Sequence, residues 1–523
     1  MSTRHPITRR AFGQAGAATA LAAALPQAFA ATPKDTLVVA FAFDDIISLD
    51  PAEAFEISAG ELMGNGYERL LRYDVNDPTK LLPDLAKSWK VSDDGKTYTF
   101  ELKPGLKFAS GNALTADDVA YSFHRAVLLD KTPAFILTQF GLTKEQVKAR
   151  VKAAGPLTVT IETDKTYAPT LVYNCLTSNV ASVVDSKLVQ SKEKDGDFGA
   201  AWLKTGYAGS GPLKIREWRA NEIVALERNE HFHGAKSKLA RVIYRHVKES
   251  ATQRLLLEKG DVDIARNLTP QDLDALAKNK DIRITSTPLG TVYYLGLNQK
   301  NPNLAKPEVR EAFKWLVDYD AIGSTLIKNI GVIHQNFLPM GLLGASKEKP
   351  YKLDVAKAKA LLAEAGHPDG VDLTLTTTTA EGLPEQLQSQ LARSGFRVKI
   401  ETIPAAQATQ IMYIQHSRTL AVDQFAGRES PVQAFQVLFG EQGLMNPGRK
   451  ADPAIAAAIA KVVATPLDSP DYPATLQAAT ALAVKAQPNV FISSTPRILA
   501  RRKNVTPVGS YLMAQRFEGV RVS

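Results

Sequence analysis

Residues 81–127 read LLPDLAKSWKVSDDGKTYTFELKPGLKFASGNALTADDVAYSFHRAV. The pair Asp94-Gly95 predicts a tight turn, because glycine adopts a positive φ without a Cβ clash. After the turn, apolar and polar residues alternate, which is the period of a half-buried strand; the apolar ones are Tyr98, Phe100 and Leu102. The first part of this stretch therefore predicts a β-hairpin.

An amphipathic helix is predicted after the hairpin. Thr115 and Asp118 have the spacing of a capping box, in which each residue bonds the backbone of the other at a helix N-terminus. Four apolar side chains then fall on one helical face; they are Val119, Phe123, Ala126 and Val127.

A second informative stretch runs from residue 354 to residue 402. Asp354 can cap a helix that Gly366 ends. The strand patterns VDLTLTTT (371–378) and RVKIET (397–402) then flank a helix pattern, LPEQLQSQLARSG (383–395). The order β-α-β favours a parallel sheet with helices on its faces, and the predicted fold class is α/β.

Five segments, taken in order and spacing, resemble the family 5 extracellular solute-binding proteins, which are the oligopeptide-, dipeptide- and nickel-binding receptors of ABC importers. The segments are 81–127, 205–234, 255–265, 293–322 and 351–370. The resemblance implies a two-lobed periplasmic binding protein fold with a hinge between the lobes and a small α/β insert on lobe one. It implies that the protein binds its ligand without reacting with it. The ligand contacts both lobes and shifts the population of the protein toward a closed form.

The resemblance also implies how the chain is divided. Lobe one takes residues 32–73, 185–287 and 488–523, the insert takes residues 74–184, and lobe two takes residues 288–487. Stretches punctuated by proline and glycine near Pro288 and Pro488 fit two hinge strands. Two crossings restrict the lobes mainly to one closing motion.

The N-terminus predicts an export signal that is later removed. Arg9 and Arg10 precede a short run rich in alanine, and Ala28-Phe29-Ala30 suits a signal peptidase. The run is too short to span a bilayer. Residues 8–12, TRRAF, resemble a twin-arginine signal. We expect cleavage after Ala30 and a mature protein in the periplasm.

Composition excludes several classes of protein. The chain is 45% hydrophobic and 22% charged, which is ordinary for a globular protein. The net charge is +9, but the basic residues are spread out, so no nucleic-acid partner is expected. Cys175 is the single cysteine and cannot form an internal disulfide. We expect a monomer that binds a small-molecule ligand and the permease subunits of an ABC transporter.

The sequence gives little support for a catalytic motif, and no enzyme activity or cofactor is predicted. The chain lacks Gly-x-Ser-x-Gly, His-Glu-x-x-His and a phosphate loop ending in Lys-Ser or Lys-Thr. Residues 209–211, Gly-Ser-Gly, lead into a strand pattern rather than a helix. His231 and His233 have no evident third ligand, so no metal site is predicted. An exported hydrolase and a peptide-binding chaperone remain the alternatives.

The ligand residues of lobe two are predicted by alignment with the family. Peptide-binding members carry an aspartate there that pairs with the α-ammonium group. When the chain is anchored on Pro431 and Phe435, Gly427 takes that place and Arg428 follows it. Arg428 suggests an anionic ligand group, because a guanidinium offers two parallel donors to a carboxylate. Asp423 could replace the aspartate only if the loop shifts.

Further contacts are predicted where strands end at the cleft in family members. Arg266 is a second predicted anion contact, and the alternative for each arginine is a structural or solvated side chain. Aromatic residues could wall the pocket. The predicted contacts besides the two arginines are Phe425, Tyr293, Tyr294, Phe43, Asp44 and Asp45. The first choice of ligand is a carboxylate-bearing organic molecule, such as an amino-acid conjugate or opine-like compound, followed by a peptide and then a metal chelate.

Overall fold

The structure is a computed structural model of the chain. It describes residues 33–75, 80–378, 382–426, 431–441, 443–446, 448, 452–465, 469–486, 489–511 and 514–523. Within these ranges, every helix is too short or too polar to cross a bilayer. The predicted signal peptide, residues 1–30, lies outside them, so the export signal and its twin-arginine character stay predictions.

The described residues form the following elements. The strands are β1 (Thr36–Phe41), β2 (Leu71–Tyr73), β3 (Leu81–Pro83), β4 (Ala86–Val91), β5 (Thr97–Leu102), β6 (Val151–Gly155), β7 (Thr158–Glu162), β8 (Leu213–Arg219), β9 (Ile223–Arg228), β10 (Arg241–His246), β11 (Ile264–Ala265), β12 (Ile282–Leu297), β13 (Val332–Ile333), β14 (Asp372–Thr377), β15 (Arg397–Thr402), β16 (Leu420–Ala426), β17 (Val490–Arg502), β18 (Gly509–Tyr511) and β19 (Ala514–Arg516). The helices are α1 (Ile57–Gly66), α2 (Ala116–Leu129), α3 (Phe135–Thr138), α4 (Val147–Arg150), α5 (Pro169–Leu176), α6 (Ser186–Gln190), α7 (Ala200–Leu203), α8 (Ser250–Lys259), α9 (Pro270–Leu276), α10 (Pro307–Leu316), α11 (Tyr319–Ser324), α12 (Val355–Glu364), α13 (Leu383–Ala392), α14 (Ala405–Ala408), α15 (Pro431–Phe439), α16 (Pro453–Ala464) and α17 (Tyr472–Ala486). A π-helical turn, Thr409–Ile414, continues α14.

The predicted hairpin and capped helix are both present. Strands β4 and β5 pair antiparallel, and Gly95 in their turn has a φ of 71°. The capping box at the start of α2 is complete, with the Thr115 backbone N–H donating to Asp118 Oδ2 at 2.8 Å. Strands β4, β5, β7 and β6 form a separate four-stranded sheet, against which α2 packs. This sheet and the helices beside it lie within residues 74–184, the range predicted for the insert.

The predicted β-α-β unit is also present. Asp354 caps α12 by accepting a hydrogen bond from the Lys357 backbone N–H at 2.9 Å. Strands β14 and β15 pair in parallel, and α13 connects them. The interior-facing stripe of α12 includes Ala358 and Leu362, which are fully buried.

One large sheet joins the two lobes. Its order is β15-β14-β16-β12-β17-β11-β1-β10-β9-β8, and β13 also pairs with β17. The long strands β12 and β17 run antiparallel through its centre. Their register shifts between Thr287 and Thr291, a stretch that contains Pro288. Proline cannot donate a ladder hydrogen bond and is tolerated at such an irregularity. Pro488 lies outside the described residues, and the predicted lobe boundaries stay predictions.

Separate apolar clusters support the two ends of this sheet. One cluster surrounds β1 and includes Leu37 and Tyr244, and another surrounds β14 and includes Phe313 and Leu375. A further cluster is continuous between the insert, with Phe100, and the helices after residue 430. Apolar side chains from both lobes therefore belong to one continuous packing network.

Candidate ligand-binding cleft

The directions of the strands place a cleft at the centre of the sheet. Strands β1, β10 and β11 are parallel, and β11 runs in the same direction as β12 because both are antiparallel to β17. Strand β16 is antiparallel to β12 and parallel to β14, which is parallel to β15. The carboxyl ends of the strands of each lobe therefore point toward the other lobe. Ligands of open α/β sheets bind at such carboxyl edges.

A contact between the two edges confirms that they face each other. Glu56 lies in the segment that links β1 to α1, and Thr409 follows β15 and α14. The Thr409 hydroxyl donates to Glu56 Oε1 at 3.5 Å. The central strands form the floor between these edges, where Thr287 pairs with Arg497 and Thr291 with Thr495.

The loop after β1 is held by the neighbouring strand ends. The Ala42 backbone N–H donates to Asn267 Oδ1 at 2.9 Å, and the Phe43 backbone N–H donates to His246 Nδ1 at 3.1 Å. The Phe43 ring is fully buried and packs edge-on against His246, with ring centroids 5.0 Å apart. Phe43 therefore has a packing role, and contact with a ligand stays a prediction.

Acidic side chains line this edge of lobe one. Asp44 pairs with Lys248 at 3.3 Å. Asp45 Oδ2 accepts a hydrogen bond from the Ser58 backbone N–H at 3.2 Å, whereas its Oδ1 is shielded from solvent and lacks a partner in the described part of the chain. Burial raises the pKa of the Asp45 carboxyl and raises that of Glu56 to about 7.

Arg266 follows β11 at the cleft, where it was predicted, but its guanidinium is already paired. Its Nη1 donates to both carboxylate oxygens of Glu61 at 2.8 Å, and its guanidinium carbon lies 4.4 Å from the centre of the Phe41 ring. Glu61 also accepts from the Tyr244 hydroxyl at 3.0 Å and lies 3.7 Å from Arg497. Burial lowers the pKa of Arg497 to about 9.

Glu61 and Arg497 were missed at the level of sequence. Both are far in the chain from Arg266, and neither lies in a motif that indicates an ion pair. Two arginines share one buried carboxylate at the floor of the cleft.

The carboxylate of Asp423 already accepts hydrogen bonds from side chains within lobe two. Its Oδ2 accepts from the Tyr294 hydroxyl at 2.9 Å, and its Oδ1 accepts from the Tyr413 hydroxyl at 2.7 Å. Arg418, whose side chain is fully buried, lies 3.7 Å away. These partners explain why Asp423 is not available for a ligand ammonium group in this arrangement.

The predicted aromatic wall is divided between two faces of the sheet. Tyr294 and Phe425 are fully buried and belong to the same apolar cluster. Tyr293 is half-buried and points to the opposite face, because successive strand residues alternate. Arg428 and Gly427 lie outside the described residues, directly after the end of β16.

The remaining motifs have structural explanations. His233 Nε2 lies 2.7 Å from Glu68 Oε1, and the described residues contain no cluster of three metal-ligating side chains. Gly211 donates its backbone N–H to the Gly66 carbonyl at 2.8 Å. A Cβ on Gly211 would lie 2.6 Å from that carbonyl oxygen. Close backbone packing therefore accounts for the glycines of residues 209–211.

Comparison with known proteins agrees with this architecture. The family model of the bacterial extracellular solute-binding proteins, family 5 middle, matches residues 80–441. The probable D,D-dipeptide-binding periplasmic protein DdpA of Escherichia coli K12 is 31% identical over 396 residues, which cover 74% of each chain. The glutathione-binding protein GsiB of Escherichia coli K12 is 27% identical over 397 residues, covering 75% of this chain and 73% of GsiB.

Solved structures share the fold. The periplasmic binding protein DppA of Helicobacter pylori, in complex with the peptide STSA, superimposes with a TM-score of 0.83 at 23% identity. The match covers 93% of this chain and 98% of DppA. The two-lobed periplasmic binding protein fold is therefore confirmed.

Proposed function

Because the chain belongs to the bacterial extracellular solute-binding proteins of family 5, we propose that it captures a small organic solute between two closing lobes. It acts in the periplasm and delivers the solute to the permease subunits of an ABC transporter. The observation that carries this proposal is the pair of facing carboxyl edges, joined by β12 and β17 and touching at Glu56 and Thr409.

The favoured ligand is a peptide-like or carboxylate-bearing solute. The position of Arg266 at the cleft supports a carboxylate, since a guanidinium offers several donors to an anionic group. The Nε and Nη2 atoms of Arg266 make no hydrogen bond in the described part of the chain and could donate to such a group. A dipeptide and glutathione, which the names of two relatives mention, both carry carboxylates.

Transport binding without turnover is the role we assign, and the protein acts as a monomer. The names of two relatives describe binding proteins, and His233 and Gly211 make structural contacts, which supports a binding role over an exported hydrolase. A peptide-binding chaperone would hold its client without closure of the lobes.

Native mass spectrometry of the mature protein as purified tests the proposal directly. We expect a bound small molecule, or else an increase in melting temperature with D-alanyl-D-alanine or glutathione as the probe. Each probe is then recovered and analysed. Hydrolysis of the probe would favour the enzyme, and the absence of both a bound molecule and any stabilising probe would contradict the proposed ligand class.

A further inference from the structure

The contact between Glu56 and Thr409 is a direct polar link between the lobes. Thr409 opens a π-helical turn in lobe two, and Glu56 immediately precedes α1 in lobe one. The neighbours of these two residues add an apolar component: the rings of Phe55 and Tyr413 both pack against the apolar cluster that spans the lobes. Closure therefore brings the Glu56 carboxyl against lobe two.

Within the described residues, the charged groups that act on Glu56 are negative: Asp45, from the loop after β1, and Glu53, from its own segment. Glu56 Oε2 accepts a hydrogen bond from the Phe55 backbone N–H at 3.1 Å, which favours the ionised form, but burial outweighs it. Glu53 has a cation nearby, Lys131 of the insert, at 4.0 Å. Lobe two offers the uncharged Thr409 hydroxyl, and the ion pairs of the described residues include neither Glu56 nor Asp45.

An ionised carboxylate in this position opposes closure. Burial without a cation disfavours the charged form, and a second carboxylate nearby adds repulsion. Protonation removes both costs. The Thr409 hydroxyl remains a suitable partner, because a hydroxyl can donate to or accept from a neutral carboxyl.

We propose that Glu56 is a proton-sensitive contact between the lobes, which favours the closed arrangement when its carboxyl is protonated. The inference rests on the closing motion of the proposed function but does not depend on the identity of the solute.

The pH range follows from the pKa of Glu56 in the two arrangements. In the arrangement of this structure, burial raises the pKa of Glu56 to about 7 from the ordinary value of 4.5. When the lobes separate and the carboxyl meets water, its pKa moves back toward that ordinary value. A raised carboxyl pKa means that the closed form binds the proton more tightly. The closed form is therefore least penalised below pH 4.5 and loses population as pH rises toward 7, by up to about tenfold per pH unit.

The test uses the mature protein freed of bound solute, with spin labels at Lys238→Cys in lobe one and Lys399→Cys in lobe two. Both positions are exposed. Distances between the labels are measured from about pH 5 to about pH 8. In the protein with native Glu56 we expect the short-distance population to fall as pH rises. In Glu56→Gln, a neutral side chain of the same shape, we expect that population to be high and independent of pH.

Glu53→Gln is the matched control, since it removes a nearby carboxylate that makes no contact with lobe two, and it should keep the pH dependence. Equal distances at all pH values in the protein with native Glu56 would overturn the inference, without any variant. So would a Glu56→Gln protein that follows the same pH curve. Neither result bears on whether a solute is bound, which the mass spectrometry above decides separately.

Discussion

At the scale of single residues, Asp423 shows how a buried carboxylate is fixed by its donors. Tyrosine hydroxyls from Tyr294 and Tyr413 reach its two oxygens, and the Gln424 backbone N–H adds a third hydrogen bond at 2.8 Å. Charge-assisted hydrogen bonds of this kind are about twice as strong as neutral ones. The group therefore stabilises lobe two rather than offering a free acceptor to a ligand.

Replacing Asp423 by alanine should destabilise the protein strongly. The fully buried Arg418 would keep its charge without a carboxylate, and breaking a buried pair costs about 3–5 kcal/mol. Asp44→Ala is the control, because its partner Lys248 is exposed and such pairs contribute less than about 1 kcal/mol. Urea unfolding measures both, and equal losses would contradict the role assigned to Asp423.

Arg428 is the residue whose predicted role most directly concerns the ligand. If it binds an anionic group, Arg428→Ala should weaken binding by about 1.5–3 kcal/mol, the usual range for a hydrogen bond to a charged group. Isothermal titration with the solute identified by mass spectrometry measures this change. Arg428→Lys, which keeps the charge but loses the paired donors, should recover only part of the affinity. Unchanged affinity in Arg428→Ala would remove the argument for an anion there.

Arg266 shows what the sequence alone cannot predict about a single residue. Its position after a strand of the cleft was predictable from the order of elements, but its partner Glu61 lies about 200 residues away in the chain. Ion pairs across such a separation leave no local pattern. Whether an arginine is free or paired is therefore decided by tertiary contacts that only the structure shows.

At the scale of elements, the sequence predicted what neighbouring residues determine. The turn at Gly95, the cap at Thr115 and the unit from β14 to β15 each depend on residues close in the chain. The length of β12 was not predicted: its residues on both sides of Pro288 pair with β17, and those after it pair with β16 as well. Proline and glycine indicated a crossing, whereas the pairing with β17 continues on both sides of it.

The cap of α2 provides a test at this scale. Thr115→Ala should reduce the free energy of unfolding by about 1 kcal/mol, the usual cost of losing an N-cap side chain. Asp118→Ala should cost more, because Asp118 Oδ1 also accepts from the Ser186 hydroxyl at 2.6 Å. Asp117→Ala serves as the control, since Asp117 is exposed in the same turn. The ranking, measured in urea, would be contradicted if Asp117→Ala were the most destabilising.

At the scale of the whole molecule, strand direction connects the fold with the motion. Each lobe turns the carboxyl ends of its strands toward the other, and the two central strands join the lobes. A ligand that touches both edges then shifts the population of the closed form by the difference between its affinities for the two forms. Contacts between the lobes act on the same equilibrium.

A bulky side chain at the contact between the lobes should hold the cleft open. Thr409→Trp would place an indole where the threonine hydroxyl meets Glu56, so the closed form loses its close packing while each lobe keeps its own core. We expect solute affinity to fall at least about tenfold, with little change in melting temperature without solute. Gln415→Trp, at an exposed position of the same lobe, should leave affinity unchanged. X-ray scattering with saturating solute measures closure of the two variants. We expect compaction for Gln415→Trp and a more extended form for Thr409→Trp. Equal compaction of both variants would show that closure does not require this contact.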